Sequence, residues 1–435
     1  MRKSLLMILA IVLTVSLSCG QKPGNGKPPG QQGDKGGRNG TTKGQLPKDD
    51  LFLYRWGSGD IGFLGTGASG ETQLIVADVA TGQEMGVYPM LPGKQILFSP
   101  DFTKILYIEE TAETPSMIIR AVERESGKEI WATKLPSQGE GWTTRNTTVN
   151  WDIEKGYIIL ELIGFKVNRQ PPENTQSAIE MTWWFLTIDS TTGDEIARLK
   201  VIDKAAVRAI PTETQVGAQY AAGELYLPLP DYPVTEFTTF DRTGANTGFD
   251  IYAVNPITGE GRKIDMKGML GQPIEAKFFP TSDGSTMYIQ TQQKSELGSP
   301  QLMGGSIQRI DLKTGKWELL LEYSANDAYN LRSMTPDGSK ILYSHWLVDP
   351  DGAPYRENIV RDMSTGHETT ITLDKAFNYI WLSPSGKYII TFAWVKEREL
   401  KVIDVASGSE RILDSAENGT FPYPLKFLGG LGNGM

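Results

Sequence analysis

Seven times along this chain an Asp, Asn or Glu is followed by two variable positions, a Thr or Ser, and a Gly, closing at Gly82, Gly127, Gly193, Gly259, Gly315, Gly366 and Gly408. One copy, Asp311-Leu312-Lys313-Thr314-Gly315, shows what the pattern requires. The Asp side chain can accept a bond from its own backbone two residues on, and the Gly supplies the positive φ that closes a tight hairpin. The other six begin at Asp78, Glu123, Asp189, Asn255, Asp362 and Asp404. Recurrence at roughly 40 to 65 residues marks a radially repeated all-β protein.

A second punctuator precedes most of these turns: Ser99-Pro100-Asp101, Pro280 to Gly284, Thr335-Pro336-Asp337-Gly338 and Ser383-Pro384-Ser385-Gly386. Each leads into an apolar run such as Lys340-Ile341-Leu342-Tyr343, so it reads as another hairpin. A unit then has four strands. Strand A precedes the Pro-Asp-Gly turn, B follows it, C ends in the Thr-Gly turn, and D runs on from there. The 435 residues accommodate one all-β domain, a single β-propeller of seven four-stranded blades, with six or eight as the alternatives. Its core is expected to be a ring of small sheet-to-sheet interfaces. The first Thr-Gly turn comes too soon after Leu51 for a complete first blade, and Pro422–Leu428 is the segment free to supply the missing strand.

The Pro-Asp-Gly turns with Lys-Ile-Leu-Tyr-type strands resemble the repeats of Tol-B-like and WD40-like bacterial propellers, over roughly residues 70–413. One copy, Glu125 to Trp131, is similar to the quinoprotein-type repeat that also occurs in outer-membrane assembly lipoproteins. It stands clean only once, so quinone chemistry is not carried over.

Arg2 and Lys3 precede an apolar run from Leu5 to Leu17, too short to span a bilayer, which ends at Ser18, the single cysteine Cys19, and Gly20. The expected organisation is a signal segment over 1–18, a flexible tether anchored through lipid on Cys19 over 19–50, and the propeller over 51–435. Ser16 stands where a lipobox has an aliphatic residue, which keeps plain cleavage after Ser18 as an alternative. Gln21 to Leu46 is crowded with Gly, Pro, Lys and Gln and cannot bury enough apolar surface to fold. The protein is therefore expected to be exported and held on the extracytoplasmic side of a bacterial membrane. A formal charge of −9, with the positive charge concentrated in the tether, disfavours nucleic-acid partners.

Chemistry-bearing motifs are sparse. Gly57 to Gly62 matches GxGxxG, but no βαβ unit surrounds it. Lys313-Thr314-Gly315 matches a penicillin-binding triplet and is one of the seven turns. His345 and His367 are the only histidines, too few for a histidine-rich metal site, and both read as packed or surface groups. Asp349-Pro350-Asp351-Gly352 with Glu357 offers hard oxygen ligands at a spacing that fails the EF-hand pattern. The ten tryptophans fall mostly in strands and read as inter-blade packing. No catalytic residue, cofactor or metal is assigned.

The A–B and C–D turns, tight and regular, lie on one face of such a blade, and the B–C connections on the other. Long B–C insertions are read at about Gly164 to Ala178, Leu229 to Gly248, Gln292 to Gly304 and Leu347 to Glu357, in four consecutive blades. They carry Arg169, Tyr232, Phe237, Phe240, Asp241, Arg242, Tyr355 and Arg356, aromatic and arginine residues of the kind enriched in binding hot spots. The expected function is a membrane-tethered scaffold that binds an envelope protein or polymer through this crest. The alternative is a small-molecule-binding or hydrolytic propeller that uses the central channel.

Overall fold

The computed structural model describes residues 50–58, 72–90, 94–111, 116–135, 142–167, 179–207, 218–229, 250–294, 302–324, 327, 329–348, 354–373, 377–393, 398–416 and 420–428. Cys19, the signal segment and the tether lie outside them, as do Arg169, Tyr232, Phe237, Phe240, Asp241 and Arg242.

Among the described residues the strands form seven antiparallel four-stranded sheets. Blade 1 contains β1 (Leu51–Ser58), β2 (Thr72–Asp78) and β3 (Glu84–Met90), and blade 2 contains β4 (Lys94–Phe98), β5 (Lys104–Thr111), β6 (Ser116–Glu123) and β7 (Glu129–Leu135). Blade 3 is β8 (Thr143–Asp152), β9 (Tyr157–Val167), β10 (Ile179–Asp189) and β11 (Glu195–Val207). Blade 4 is β12 (Gln219–Ala221), β13 (Glu224–Leu229), β14 (Asp250–Val254) and β15 (Gly261–Lys263). Blade 5 is β16 (Gln272–Pro280), β17 (Thr286–Lys294), β18 (Leu302–Asp311) and β19 (Trp317–Ser324). Blade 6 is β20 (Tyr329–Met334), β21 (Lys340–Val348), β22 (Pro354–Asp362) and β23 (Glu368–Thr372). Blade 7 is β24 (Phe377–Leu382), β25 (Tyr388–Ala393), β26 (Leu400–Asp404) and β27 (Glu410–Asp414), and the last strand, β28 (Thr420–Phe427), returns to blade 1.

Blade 1 closes the ring with both chain ends, in the order β28-β1-β2-β3. β28 lies antiparallel to β1, from Phe52 opposite Phe427 to Ser58 opposite Thr420. The Phe52 and Phe427 rings meet edge-on at 4.9 Å, and Leu428 N–H donates to Leu51 O at 2.9 Å. The missing strand is the one that the position of the first Thr-Gly turn implied.

All seven signature turns close alike. The glycine N–H donates to the carbonyl of the first residue at 2.7–2.9 Å, and the glycine φ lies between +66° and +78°. At Asp78, Asp189, Asn255, Asp311 and Asp362 the side-chain oxygen accepts the N–H two residues on, at 2.7–3.0 Å. Glu123, one methylene longer, takes the Ser126 hydroxyl instead, at 2.7 Å.

The A–B turns of blades 2, 5, 6 and 7 share a device that sequence reading missed. The hydroxyls of Ser99, Thr281, Thr335 and Ser383 each accept the N–H five residues on, at 2.9–3.1 Å. These turns also bond across blades. Ser282 N–H donates to Pro336 O at 2.7 Å, and the Tyr288 hydroxyl donates to Gly338 O at 2.8 Å.

Seven apolar clusters hold the ring together, one at each blade interface. Period-two alternation in the strands sends successive residues to opposite interfaces. Trp183 packs between blades 3 and 4 while Trp184 packs between blades 2 and 3. With Trp131 and Trp381 buried in the same way, these tryptophans are inter-blade packing. Trp346 is not, being 39% exposed.

Candidate ligand-binding site on blade 6

Two of the eight sequence-chosen binding residues, Tyr355 and Arg356, lie among the described residues, and both correct the sequence reading. Neither is in a loop. β21 runs through Val348 and β22 begins at Pro354, so Tyr355 pairs with Leu347 and Arg356 with Trp346. The B–C connection of blade 6 is thus confined to residues 349–353. The strand ends also leave residues 59–71 as the B–C connection of blade 1, which the set of four omitted.

At the long-connection end of blade 6 the side chains divide by strand alternation. Toward blade 5 lie Tyr329, His345 and Glu357, on the side where Leu331, Tyr343 and Ile359 pack. The His345 and Tyr329 rings stack at 4.1 Å and 4°. His345 Nε2 bonds Asp327 Oδ1, and Nδ1 lies 3.8 Å from Glu357 Oε2. Burial first, then the Asp327, Glu368 and Glu357 charges, push the Tyr329 phenol above its ordinary pKa. His345 is a packed, hydrogen-bonded group only 12% exposed. Among the described residues no group of His, Cys, Asp or Glu is arranged to hold a metal ion.

Toward blade 7 lie Arg332, Ser344, Trp346, Arg356 and Asn358, on the side where Leu342 and Val360 pack. The Arg356 guanidinium sits 4.0 Å over the Trp346 ring. Further in, Arg332 Nε donates to Ser344 Oγ at 3.1 Å, and that hydroxyl donates to Asn358 Oδ1 at 2.7 Å. Arg332 reaches this side because β20 is bulged there. Leu331 pairs with Tyr343 and Ser333 with Leu342, so Arg332 is the extra residue. A bulge breaks the alternation and re-aims a side chain, and Ser333 also turns toward blade 7, where its Oγ accepts Leu382 N–H at 3.1 Å. Burial, then the Arg356 charge, pull the Arg332 pKa down to about 10. Burial likewise lowers that of Arg356. Sequence reasoning missed Arg332, Trp346 and Asn358; only the proximity of Trp346 to Arg356 across a short hairpin was there to be found.

No family model matches the chain, and no curated protein matches it by sequence. Among solved structures it is similar to an acylaminoacyl peptidase of Pyrococcus horikoshii, with a TM-score of 0.51 and 14% identity over 84% of this chain and 50% of that one. An acylaminoacyl peptidase in complex with Z-Gly-Gly-Phe-chloromethyl ketone gives a TM-score of 0.50 at 15% identity, with the same coverage of each chain. The β-propeller domain of the Trilobed protease from Pyrococcus furiosus gives 0.48 at 12% identity, over 84% of this chain and 95% of that one. The chain spans half the length of the two acylaminoacyl peptidases. At such identities the likeness is one of fold: this chain is a seven-bladed β-propeller whose structural neighbours include peptidases.

Proposed function

We propose that this protein is an extracytoplasmic, lipid-anchored, non-enzymatic propeller scaffold that binds an envelope protein or polymer on its long-connection face. The observation that carries the reading is the pair formed by Trp346 and Arg356. An exposed indole with a guanidinium stacked on it offers a rigid apolar plate with a charged rim, and Trp and Arg are the residues on which interface energy concentrates. Both stand on paired strands, so little ordering entropy opposes binding. The signal segment and Cys19 would supply the anchor, and a tether of about 30 residues gives a reach of roughly 30 Å by random-coil scaling.

The test has two parts. Cys19→Ala should move the protein from the membrane fraction to the soluble extracytoplasmic fraction, and equal fractionation of both forms would remove the anchor. Cross-linked capture from envelope extract should fall about thirtyfold or more for Trp346→Ala, the equivalent of about 2 kcal/mol at an interface centre, with the melting midpoint nearly unchanged. Undiminished capture by Trp346→Ala places binding elsewhere.

A further inference from the structure

We propose that Arg332, Arg356 and Asn358 form a receptor for one oxyanion, a carboxylate or phosphate group, between blades 6 and 7. The inference rests on the binding reading above and names the chemistry that the long-connection face of blade 6 recognises.

The hydrogen-bond inventory of this strip is lopsided. Ser344 Oγ accepts from Arg332 Nε and donates to Asn358 Oδ1, so the Ser344 and Asn358 oxygens are already engaged. What remains are donors. Asn358 is 1% exposed, and its Nδ2 is buried without a hydrogen-bond partner. The amide orientation follows from the network, because Ser344 already receives the Arg332 N–H and needs the Asn358 oxygen for its own proton. Across the interface, Thr391 lies two residues beyond Ile389, which packs in the cluster between blades 6 and 7; alternation therefore turns it toward blade 6. Its Oγ1 is likewise buried without a partner. Among the described residues no carboxylate pairs with Arg332.

Beside two guanidinium groups, such donors are best complemented by an anion. A group that carries only acceptors and a negative charge satisfies the Asn358 amide and Thr391 hydroxyl, and neutralises a guanidinium whose partial burial is otherwise costly. Arg332 and Arg356 repel each other as they stand, which an anion between them reverses. Carboxylate and phosphate both fit the planar fork of Arg. Trp346, 39% exposed, stands at the outer end of the strip whose inner end is Asn358, so the rest of the ligand would lie against the indole while its anionic group reaches inward.

The experiment is calorimetric titration of the purified full-length protein with inorganic phosphate and, separately, malonate, at fixed ionic strength. Saturable binding of one or both is expected, and whichever binds identifies the chemical source. Arg332→Met should weaken it at least tenfold without lowering the melting midpoint, because the variant removes a half-buried charge that no described carboxylate offsets. Asn358→Asp is the second variant. It puts a carboxylate where the anion sits, and should abolish probe binding while raising the midpoint. Absence of saturable binding by the unaltered protein, or equal binding by Arg332→Met, overturns the inference and leaves a water-filled polar strip. Probe binding with undiminished envelope capture by Trp346→Ala would instead retain the anion site and remove the scaffold reading.

Discussion

Removing the C-terminal strand should unfold the whole domain, because β28 is the innermost strand of blade 1 and carries the strand pairing that joins the two ends of the chain. Chain termination after Asn418 deletes every pairing from Phe52–Phe427 to Ser58–Thr420. It also removes Phe427 and Leu428, each 4% exposed, whose burial contributes about 1.5–3 kcal/mol apiece. Together that is about 3–6 kcal/mol before the strand ladder is counted, against a total stability of about 5–15 kcal/mol for a typical domain. The remaining β1 would expose Phe52, which packs edge-on against both Phe427 and Trp381. The clusters between blades 7 and 1 and between blades 1 and 2 would then open together.

A graded version isolates the packing term. Phe427→Ala keeps the strand and removes one ring, at a cost of about 3–5 kcal/mol. At about 2 °C per kcal/mol for a large domain, the midpoint should fall by about 6–10 °C. Thermal melts followed by tryptophan fluorescence and far-ultraviolet dichroism read both variants. A truncated chain that melts cooperatively at the full-length midpoint would refute closure by β28.

The tight turns of the blades make three further tests. Gly315 and Gly193 have similar positive φ values, but a Cβ at Gly315 meets nothing within 4 Å whereas one at Gly193 would come within 2.6 Å of the Trp131 ring; Gly315→Ala should therefore cost only the left-handed penalty of about 1–2 kcal/mol, and Gly193→Ala measurably more in a urea melt, equal losses counting against the contact. The Ser364 hydroxyl and then the Thr365 N–H hold the Asp362 carboxyl down to about 2, and N–H donors, Thr314 first for one and Ser407 first for the other, hold Asp311 and Asp404 below the usual range. Because these folded values lie below the unfolded value of about 3.9, the stability they confer is complete above that pH and is lost as pH falls from about 4 through 2; Asp362→Asn should flatten that part of a midpoint-against-pH curve, and an unchanged slope would rule the turn out. Phe102 occupies the turn position filled by glycine in blades 5, 6 and 7, at φ +57°, yet is 1% exposed beneath the Arg124 guanidinium at 4.4 Å; Phe102→Gly relieves about 1–2 kcal/mol of backbone strain and empties a core site worth about 3–5 kcal/mol, so the midpoint should drop, and a rise would show that strain dominates.

The parts of the fold legible in the sequence are those made by local chemistry. Asp362 to Gly366 closes its turn with groups inside the turn, so the signature carries its own meaning wherever it stands. The return of β28 was legible from phase alone, since the first Thr-Gly turn left one strand unaccounted for. Arg332 was not legible, because a bulge is a property of two strands in register. In Leu331-Arg332-Ser333-Met334 nothing marks which residue is extra until Tyr343 and Leu342 are seen opposite. The strong turn residues of Asp349 to Gly352 place Arg356 in a loop by sequence, yet the pairing resumes at Pro354, opposite Val348. The hydroxyl that bonds five residues on, as at Thr335, looks in sequence like any turn residue.

The two faces of the ring differ in how they are held, and that difference says where variation can be accommodated. On the turn face Ser282 and Pro336, Tyr288 and Gly338, and Lys340 and Gly386 tie neighbouring blades through backbone groups. A Cβ at Gly338 would come within 2.6 Å of Thr281, so side chains there are constrained by the adjacent blade as well as their own. The long-connection face of blade 6 carries its chemistry on side chains instead, from exposed Trp346 down to buried Asn358. Strand pairing fixes the positions of those side chains while leaving their identities free, which is the condition for a preorganised site on a rigid element. A half-buried Arg332 with a hydroxyl as its described partner contributes less to packing than a methionine of similar volume would. Its place in the ring is explained by what it can hold.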